Sequence, residues 1–477
     1  MKNRNLPQYS SLISGSQVLP KEATGEWLVK SPARADHPFA RCVYSYAQID
    51  QAIDSSIQGI QSWKALTRDQ KMIEIKKGFE QVWNAKEHIV ATLQAELGRT
   101  DADVELEFKQ IQKWWSGFQE FQGTEMDPRG TTALIGSYVW PIFYTLQFTL
   151  LNLLAGNSVI IKPSERATLS VLKMVETLIA ERRLFSHGIS VLIGEKEVGR
   201  RVACHEAVNT VIFVGSFENG IRVKQNTLSQ PSKRILLYLG AKNPVIVCED
   251  FLVESSAGQE GMEKIIQDSF LSTGQHCRSG SLIFVHDAQY QAFLKHFHDR
   301  AKGIKIGGPA ENGYMGPVID DAMADRYLKF VGISEREGAE IQMRGKSLSL
   351  SEKGFFVTPT LLTFESLTPT QMKKSVSLQT EILSPHISIV RYSNYDELLS
   401  ITAEMQNGLC ASIWGENSER NLKIANDLNF GQVSINQSLL EWDPTAGFQA
   451  RKKSGNHAYH GPELFRQVTT LKSILNK

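Results

Sequence analysis

Hydrophobic positions keep a helical period through the first part of the chain and then change it. From Ile49 the apolar residues Ile49, Ile53, Ile57 and Ile60 share one helical face, with Trp63 beyond. A second helical pattern runs through Ile73, Phe79, Val82 and Trp83 to Leu93 and Leu97 and breaks at Gly98. A third carries Val104, Phe108, Ile111 and Trp115, and the neighbouring Trp114 and Trp115 read as packing. Ahead of these, residues 1–45 alternate short apolar pieces with Gly and Pro and fit edge strands. Residues 120–136 turn polar and Gly-containing, which fits a hairpin.

Strand-length apolar runs then alternate with helical stretches. Leu134-Ile135, Val159-Ile160-Ile161, Val191-Leu192-Ile193, Val211-Ile212-Phe213 and Ile235-Leu236-Leu237 predict short buried strands. An apolar helix through Leu154 and another with Val171, Leu172, Val175, Leu178 and Ile179 lie between the first of them. Such alternation predicts a parallel sheet with crossover helices, which binds ligands beyond the carboxyl ends of its strands. Two turns at such ends therefore matter: Lys162-Pro163-Ser164-Glu165 and Gly215-Ser216. A second α/β unit follows, with helices near 289–297 and 322–331 and strands at Phe356-Val357, Ile387–Val390 and Val433–Ile435. Arg451-Lys452-Lys453-Ser454-Gly455 reads as a solvated loop.

Composition narrows the class. At 477 residues, two or three domains are expected, and 42% hydrophobic with 22% charged residues describes a soluble globular protein. A net charge of +1 gives no electrostatic case for nucleic acid or an anionic membrane as partner. The five cysteines, Cys42, Cys204, Cys248, Cys277 and Cys410, are dispersed without a CxxC pair. That spacing fits free thiols in a reducing compartment, and neither a disulfide scaffold nor a metal site. The N-terminal residues lack the apolar core of a signal peptide and no run reaches transmembrane length, so the expected location is cytoplasmic.

The candidate chemistry centres on Ser269 to Cys277, Ser-Phe-Leu-Ser-Thr-Gly-Gln-His-Cys, ahead of the apolar run Leu282–Val285. It reads as a helix end, a Gly-Gln turn and a lone cysteine before a strand. A thiol there sits beside main-chain donors and suits a nucleophile whose attack creates an oxyanion. The alternative is a packing cysteine, since this residue type is among the most buried.

Six islands in this order resemble the aldehyde dehydrogenase superfamily, over roughly residues 40–470. Gly156-Asn157 with Ile160-Ile161-Lys162-Pro163-Ser164-Glu165 is similar to its ribose-binding turn. Phe213-Val214-Gly215-Ser216, with Gly220 beyond, resembles its Phe-Thr-Gly-Ser phosphate turn. Leu239-Gly240-Ala241-Lys242-Asn243-Pro244 resembles Leu-Gly-Gly-Lys-Asn-Pro, and Gly274-Gln275-His276-Cys277 matches Gly-Gln-x-Cys. Glu381-Ile382-Leu383-Ser384-Pro385 resembles Glu-x-Phe-Gly-Pro, and Gly431 to Asn436 matches a late Gly-x-Val-x-x-Asn strand. Within the family, Gly136-Ser137-Tyr138 and Ser454-Gly455-Asn456-His457 resemble the succinylglutamate semialdehyde branch of arginine degradation.

The resemblance implies an α/β fold of two Rossmann-type parallel-sheet domains plus a small β oligomerisation element. The expected bounds are 1–119 and 137–237 for a nucleotide-binding domain and 238–445 for a catalytic domain. Residues 120–136 and 446–477 are expected to form the oligomerisation element and tail, in a homodimer or homotetramer. The implied function is NAD-dependent oxidation of an aldehyde, such as a semialdehyde, to the carboxylate through a cysteine thioester. Carried over by position, Cys277 is the nucleophile. Lys162 and Glu165 grip the adenosine ribose, Gly215, Ser216 and Gly220 face the pyrophosphate, and Glu381 holds the nicotinamide ribose. A carboxylate at Glu165 repels a 2′-phosphate and so favours NAD over NADP. Other readings are a surface ion pair for Lys162 and Glu165 and a helix N-cap for Ser216.

Two family positions are substituted. The oxyanion asparagine is replaced by Val139, which has no donor, and the general-base glutamate by Tyr238, a phenol that is protonated at neutral pH. Gly447-Phe448-Gln449-Ala450 also replaces Pro-Phe-Gly-Gly. His276, Glu441 and Asp443 are candidate substitutes, or else an outward-turned neighbour and solvated loop carboxylates. A nearly inactive relative serving as a nucleotide- or partner-binding scaffold, and an acyl-transferring reductase, are the alternative functions.

Overall fold

Near-continuous apolar runs become strands buried on both faces, as in a sheet packed by helices on each side. The computed structural model describes residues 6–119, 126–180, 183–350 and 352–475. In its first seven-stranded sheet, Arg234–Leu239, Val208–Gly215, Thr131–Ile135, Ser158–Lys162 and Ile189–Val191 lie side by side in parallel. Leu12–Ile13 and Ser16–Gln17 close one edge antiparallel, so part of the N-terminal stretch supplies the expected edge strands. The rest, Gln8–Tyr9, Gly25–Ser31 and Arg34–Tyr44, forms a separate three-stranded sheet.

Chain order reverses beside Thr131–Ile135. The next two parallel strands add on one side of it, and Val208–Gly215 and Arg234–Leu239 add on the other. Such a reversal opens a crevice at the carboxyl ends of the two strands that flank it. The second sheet runs Glu340–Met343, Thr360–Phe364, His386–Tyr392, Leu282–His286, Pro244–Val247, Cys410–Trp414, Gln432–Ile435. Its strands are parallel apart from the antiparallel edge Glu340–Met343.

The helices follow the apolar periodicity with two differences. Ala47–Lys64 turns Ala52, Ser56 and Gly59 inward, because it approaches the backbone at Gly188 so closely that a Cβ on Gly59 would lie 2.6 Å from it. Ile57 is thereby rotated to the flank and is 44% exposed. The second pattern is two helices, Arg68–Asn84 and Lys86–Leu97, separated at Ala85 and ended by Gly98 at φ 64°. Trp114 and Trp115 are core residues, Trp115 stacking on Phe79 with centroids 3.8 Å apart.

The hairpin expected at 120–136 is corrected in its described part, and residues 120–125 lie outside the described residues. Asp127–Pro128 pairs instead with Thr469–Thr470, and Thr131–Ile135 is a central strand of the first sheet. The stretch 451–455 is also built in. Arg451–Lys452 pairs with Asn407–Gly408, Ser454 is buried and its hydroxyl accepts the Gly408 N–H at 3.1 Å, and Gly455 bridges Tyr238. Its charged side chains face solvent while its backbone ties the two sheets' ends together. Among the described residues no helix is long and apolar enough to cross a membrane.

Candidate active site

Cys277 follows a turn that its own sequence does not stabilise. After the helix Ser256–Phe270, Ser272, Thr273 and Gly274 adopt φ of 53°, 57° and 68°. For the two non-glycine residues the left-handed region costs about 1–3 kcal/mol each. Bonds from distant segments offset that cost. Asp103 Oδ1 accepts the Ser272 N–H at 2.6 Å, and Thr273 Oγ1 donates to the Gly316 carbonyl at 2.9 Å. Gln275 donates to the Pro317 carbonyl at 3.0 Å and accepts the Ile319 N–H at 2.9 Å.

On the far side, Asn243 Nδ2 donates to the carbonyls of Cys277 (2.8 Å) and Ser279 (3.0 Å). Arg278 is buried, with Nε donating to the Leu439 carbonyl at 2.6 Å and Nη2 to Gln432 Oε1 at 2.7 Å. The sulfur is thus held from both directions at the amino end of Leu282–His286, facing the switch point of the first sheet.

A cleft of about 1060 Å³ occupies that position. Cys277, Lys162, Glu165, Gly215, Ser216 and Glu381 all line it, as do Val139 and Tyr238. Lys162 is buried and its Nζ lies 2.5 Å from Glu165 Oε1. Burial pushes the Lys162 ammonium down while the Glu165 charge pulls it back. Ser216 caps the helix Phe217–Asn226, its hydroxyl accepting the Asn219 N–H at 3.4 Å, so the cap and the cleft-facing position coincide. Glu381 Oε1 accepts the Ala241 N–H at 3.0 Å, and burial raises this carboxyl to about 7.

Gly220 is brought near but not into the cleft. It is buried in the helix Phe217–Asn226, where a Cβ would lie 2.5 Å from Leu239 Cδ2. Its absent side chain lets the helix close on the sheet.

The substituted positions are closed chemically. Val139 offers the cleft only methyl groups. Tyr238 is 2% exposed, its hydroxyl donates to the Ala458 carbonyl at 2.9 Å, and burial pushes its phenol well above the ordinary range. None of the suggested substitutes lines the cleft. His276 is buried and stacks on Trp140 at 5.6 Å, and burial lowers it to about 3, so it is neutral. Burial would raise Glu441, but hydrogen bonding and charge from Lys113, with Lys109, outweigh it and hold the carboxyl below its ordinary value. Asp443 accepts from the Thr445 N–H and hydroxyl on the surface.

One residue unremarked in the sequence does reach the sulfur. Tyr144, in the first turns of Pro141–Ala155, places its hydroxyl 3.1 Å from Cys277 Sγ and lines the same cleft. That helix starts at Pro141 after Trp140 in the left-handed region, and Glu107 Oε1 accepts the N–H groups of Ile142 (2.8 Å) and Phe143 (3.0 Å). Burial raises the Cys277 thiol, countered by the Tyr144 hydrogen bond and the Arg278 charge. Burial followed by the Cys277 charge keeps the Tyr144 phenol well above its usual value.

Comparison with known proteins agrees with this geometry. The model of the "Aldehyde dehydrogenase family" matches residues 21–474. An alpha-ketoglutaric semialdehyde dehydrogenase of Bacillus subtilis (strain 168) is 27% identical over 493 residues, covering 98% of this chain and 98% of that protein. Among solved structures, lactaldehyde dehydrogenase from Escherichia coli superposes with a TM-score of 0.87 at 22% identity, over 96% of this chain and 97% of that one. A mutant aldehyde dehydrogenase C from Pseudomonas syringae, in complex with NAD+ and octanal, gives 0.85 at 22% identity, over 96% and 95%. At such identities the solved structures establish a common fold.

Proposed function

The chain belongs to the aldehyde dehydrogenase family, and on that premise we propose that it binds NAD in the cleft and oxidises an aldehyde to the carboxylate through Cys277. The observation that carries this reading is the convergence of Cys277, Lys162, Glu165, Ser216 and Glu381 on one cleft. The residues suit the cofactor. Glu165 offers a carboxylate for ribose hydroxyls, Ser216 and the N-terminus of a ten-residue helix offer N–H groups to a pyrophosphate, and Glu381 offers a second ribose acceptor. NAD, when bound, supplies the hydride acceptor.

The chain's own part is to add sulfur to the carbonyl carbon and to hold the acyl group as a thioester. Clearing that thioester requires a base for water, and Tyr238 is a protonated phenol already committed to the Ala458 carbonyl. Hydrolysis is therefore the slow step. The same feature favours one other reading, transfer of the acyl group to a thiol acceptor. For substrate we propose an ω-carboxylated aldehyde of the succinylglutamate type. It is supported by the residues 136–138 and 454–457 and by the name of the Bacillus subtilis relative. A homodimer or homotetramer, assembled through the tail, is supported by the exposed Leu471, Ile474 and Leu475.

The test is intact-mass and peptide analysis of Cys277 after mixing the chain with succinate semialdehyde and NAD. A persistent acyl adduct on Cys277, slowly replaced by free acid, is expected. No adduct and no acid would leave a nucleotide-binding scaffold, and loss of the adduct only on adding a thiol would identify acyl transfer.

Two further outcomes concern the cofactor. NAD is expected to bind about tenfold more tightly than NADP in calorimetric titration, and Glu165→Gln to narrow the difference. Glu381, with its carboxyl near 7, is largely protonated below that value and charged above it. Affinity for NAD should therefore rise between about pH 6 and pH 8, and Glu381→Gln should flatten the rise.

A further inference from the structure

With Val139 unable to donate, the cleft still contains one hydroxyl in contact with the reacting sulfur. Tyr144 Oη stands 3.1 Å from Cys277 Sγ, and among the described residues this is the only hydrogen bond that hydroxyl makes. Tyr138 and Tyr459 line the same cleft without a hydrogen bond to the sulfur, and the hydroxyl of Tyr238 is turned to the Ala458 carbonyl. His276, the residue beside the cysteine, is packed on Trp140. Tyr144 is fixed where it stands. It is buried in the first turns of a helix capped by Glu107, with its ring stacked on Phe148 one turn later at 6.0 Å.

Resting on the reading of Cys277 as the nucleophile, we propose that Tyr144 is a catalytic residue that relays a proton from the attacking thiol to the aldehyde oxygen. Carbonyl oxygen and sulfur become bonded to one carbon, so an aldehyde seated with its oxygen toward Tyr144 brings that oxygen within hydrogen-bond reach of the same hydroxyl. As sulfur forms its bond to the carbonyl carbon, the π pair moves to oxygen and the phenol's proton follows it there. The thiol's proton passes to the phenol oxygen. Tyr144 ends as it began, the product is a neutral thiohemiacetal, and no external base or oxidant enters.

The relay suits the groups present. Burial keeps both the thiol and the phenol protonated at neutral pH, so a mechanism that starts from a free thiolate is disfavoured here. A donor at Tyr144 also explains how a valine is tolerated at 139, since the oxygen of the adduct has a partner from the next turn of the same segment.

The experiment measures how fast succinate semialdehyde or propanal, without NAD, protects Cys277 from iodoacetamide, with samples quenched at set times and the modified peptide read by mass spectrometry. Wild type is expected to be protected, and Tyr144→Phe to become protected about a hundredfold more slowly. The double variant Val139→Asn with Tyr144→Phe is expected to recover most of the loss, because the amide restores a donor that a packing role for Tyr144 would not call for. Equal rates of protection in wild type and Tyr144→Phe overturn the assignment of Tyr144 while leaving Cys277 as nucleophile. A loss in Tyr144→Phe that the asparagine does not restore overturns it as well. Absence of protection in wild type by either aldehyde overturns both this assignment and the reading on which it rests.

Discussion

Replacing Cys277 with alanine is expected to lower NAD-dependent aldehyde oxidation by about 10⁴–10⁶-fold, the scale seen when a nucleophile is removed from a covalent mechanism. No other thiol in the chain is placed to take over. Cys42, Cys248 and Cys410 are buried, and burial pushes each of them up, the last two to about 12. Cys204 is partly exposed but donates to the Asn226 carbonyl and does not line the cleft. Affinity for NAD should be unaffected, since Lys162, Glu165, Ser216 and Glu381 hold their places without the sulfur. Steady-state NADH production and a calorimetric titration on the same sample separate the two. Unchanged oxidation in Cys277→Ala would move the chemistry to another residue.

The second large effect is a gain. Tyr238→Glu is expected to shorten the lifetime of the acyl adduct by about 10²–10⁴-fold, the usual contribution of a positioned general base. A carboxylate at this buried position would have its pKa raised by desolvation toward neutrality, where such a base works best. The substitution also removes the ring that packs on Phe148 at 4.6 Å and Tyr459 at 4.8 Å. A lower melting temperature therefore accompanies the gain. The measurement is the decay of the Cys277 acyl mass after excess aldehyde is removed. An adduct that persists as long in Tyr238→Glu as in wild type would show that deprotonation of water is not what limits its release.

Features with a local cause could be read from the chain before its fold. The parallel sheet follows from apolar runs such as Val159–Ile161, and the cleft from the turns that follow them. The substitutions Val139 and Tyr238 are visible once the neighbouring motifs are placed in register. Features with a long-range cause could not. Asp103 lies far along the chain from Ser272, whose amide it binds, and nothing near either residue announces the other. Tyr144 sits in a helix whose residues are all buried, so in sequence it has the character of core. Gly220 lies where a side chain would meet Leu239, a close approach that only the folded helix and sheet reveal. The charges of Arg451, Lys452 and Lys453 concealed a backbone that pairs with Asn407–Gly408 and bridges to Tyr238. The short strand Cys410–Trp414, between Asn407-Gly408 and Gly415, takes its place only through pairing with Pro244–Val247.

The most direct test of the central claim is a crystal structure of this chain with NAD bound, read for the separation between Cys277 Sγ and the nicotinamide ring. A cysteine that acts on a carbonyl held against the cofactor predicts a ring carbon within about 4 Å of the sulfur, close to the spacing of a reactive arrangement. NAD bound elsewhere, or seated in the cleft with Cys277 walled off from the ring, would contradict it.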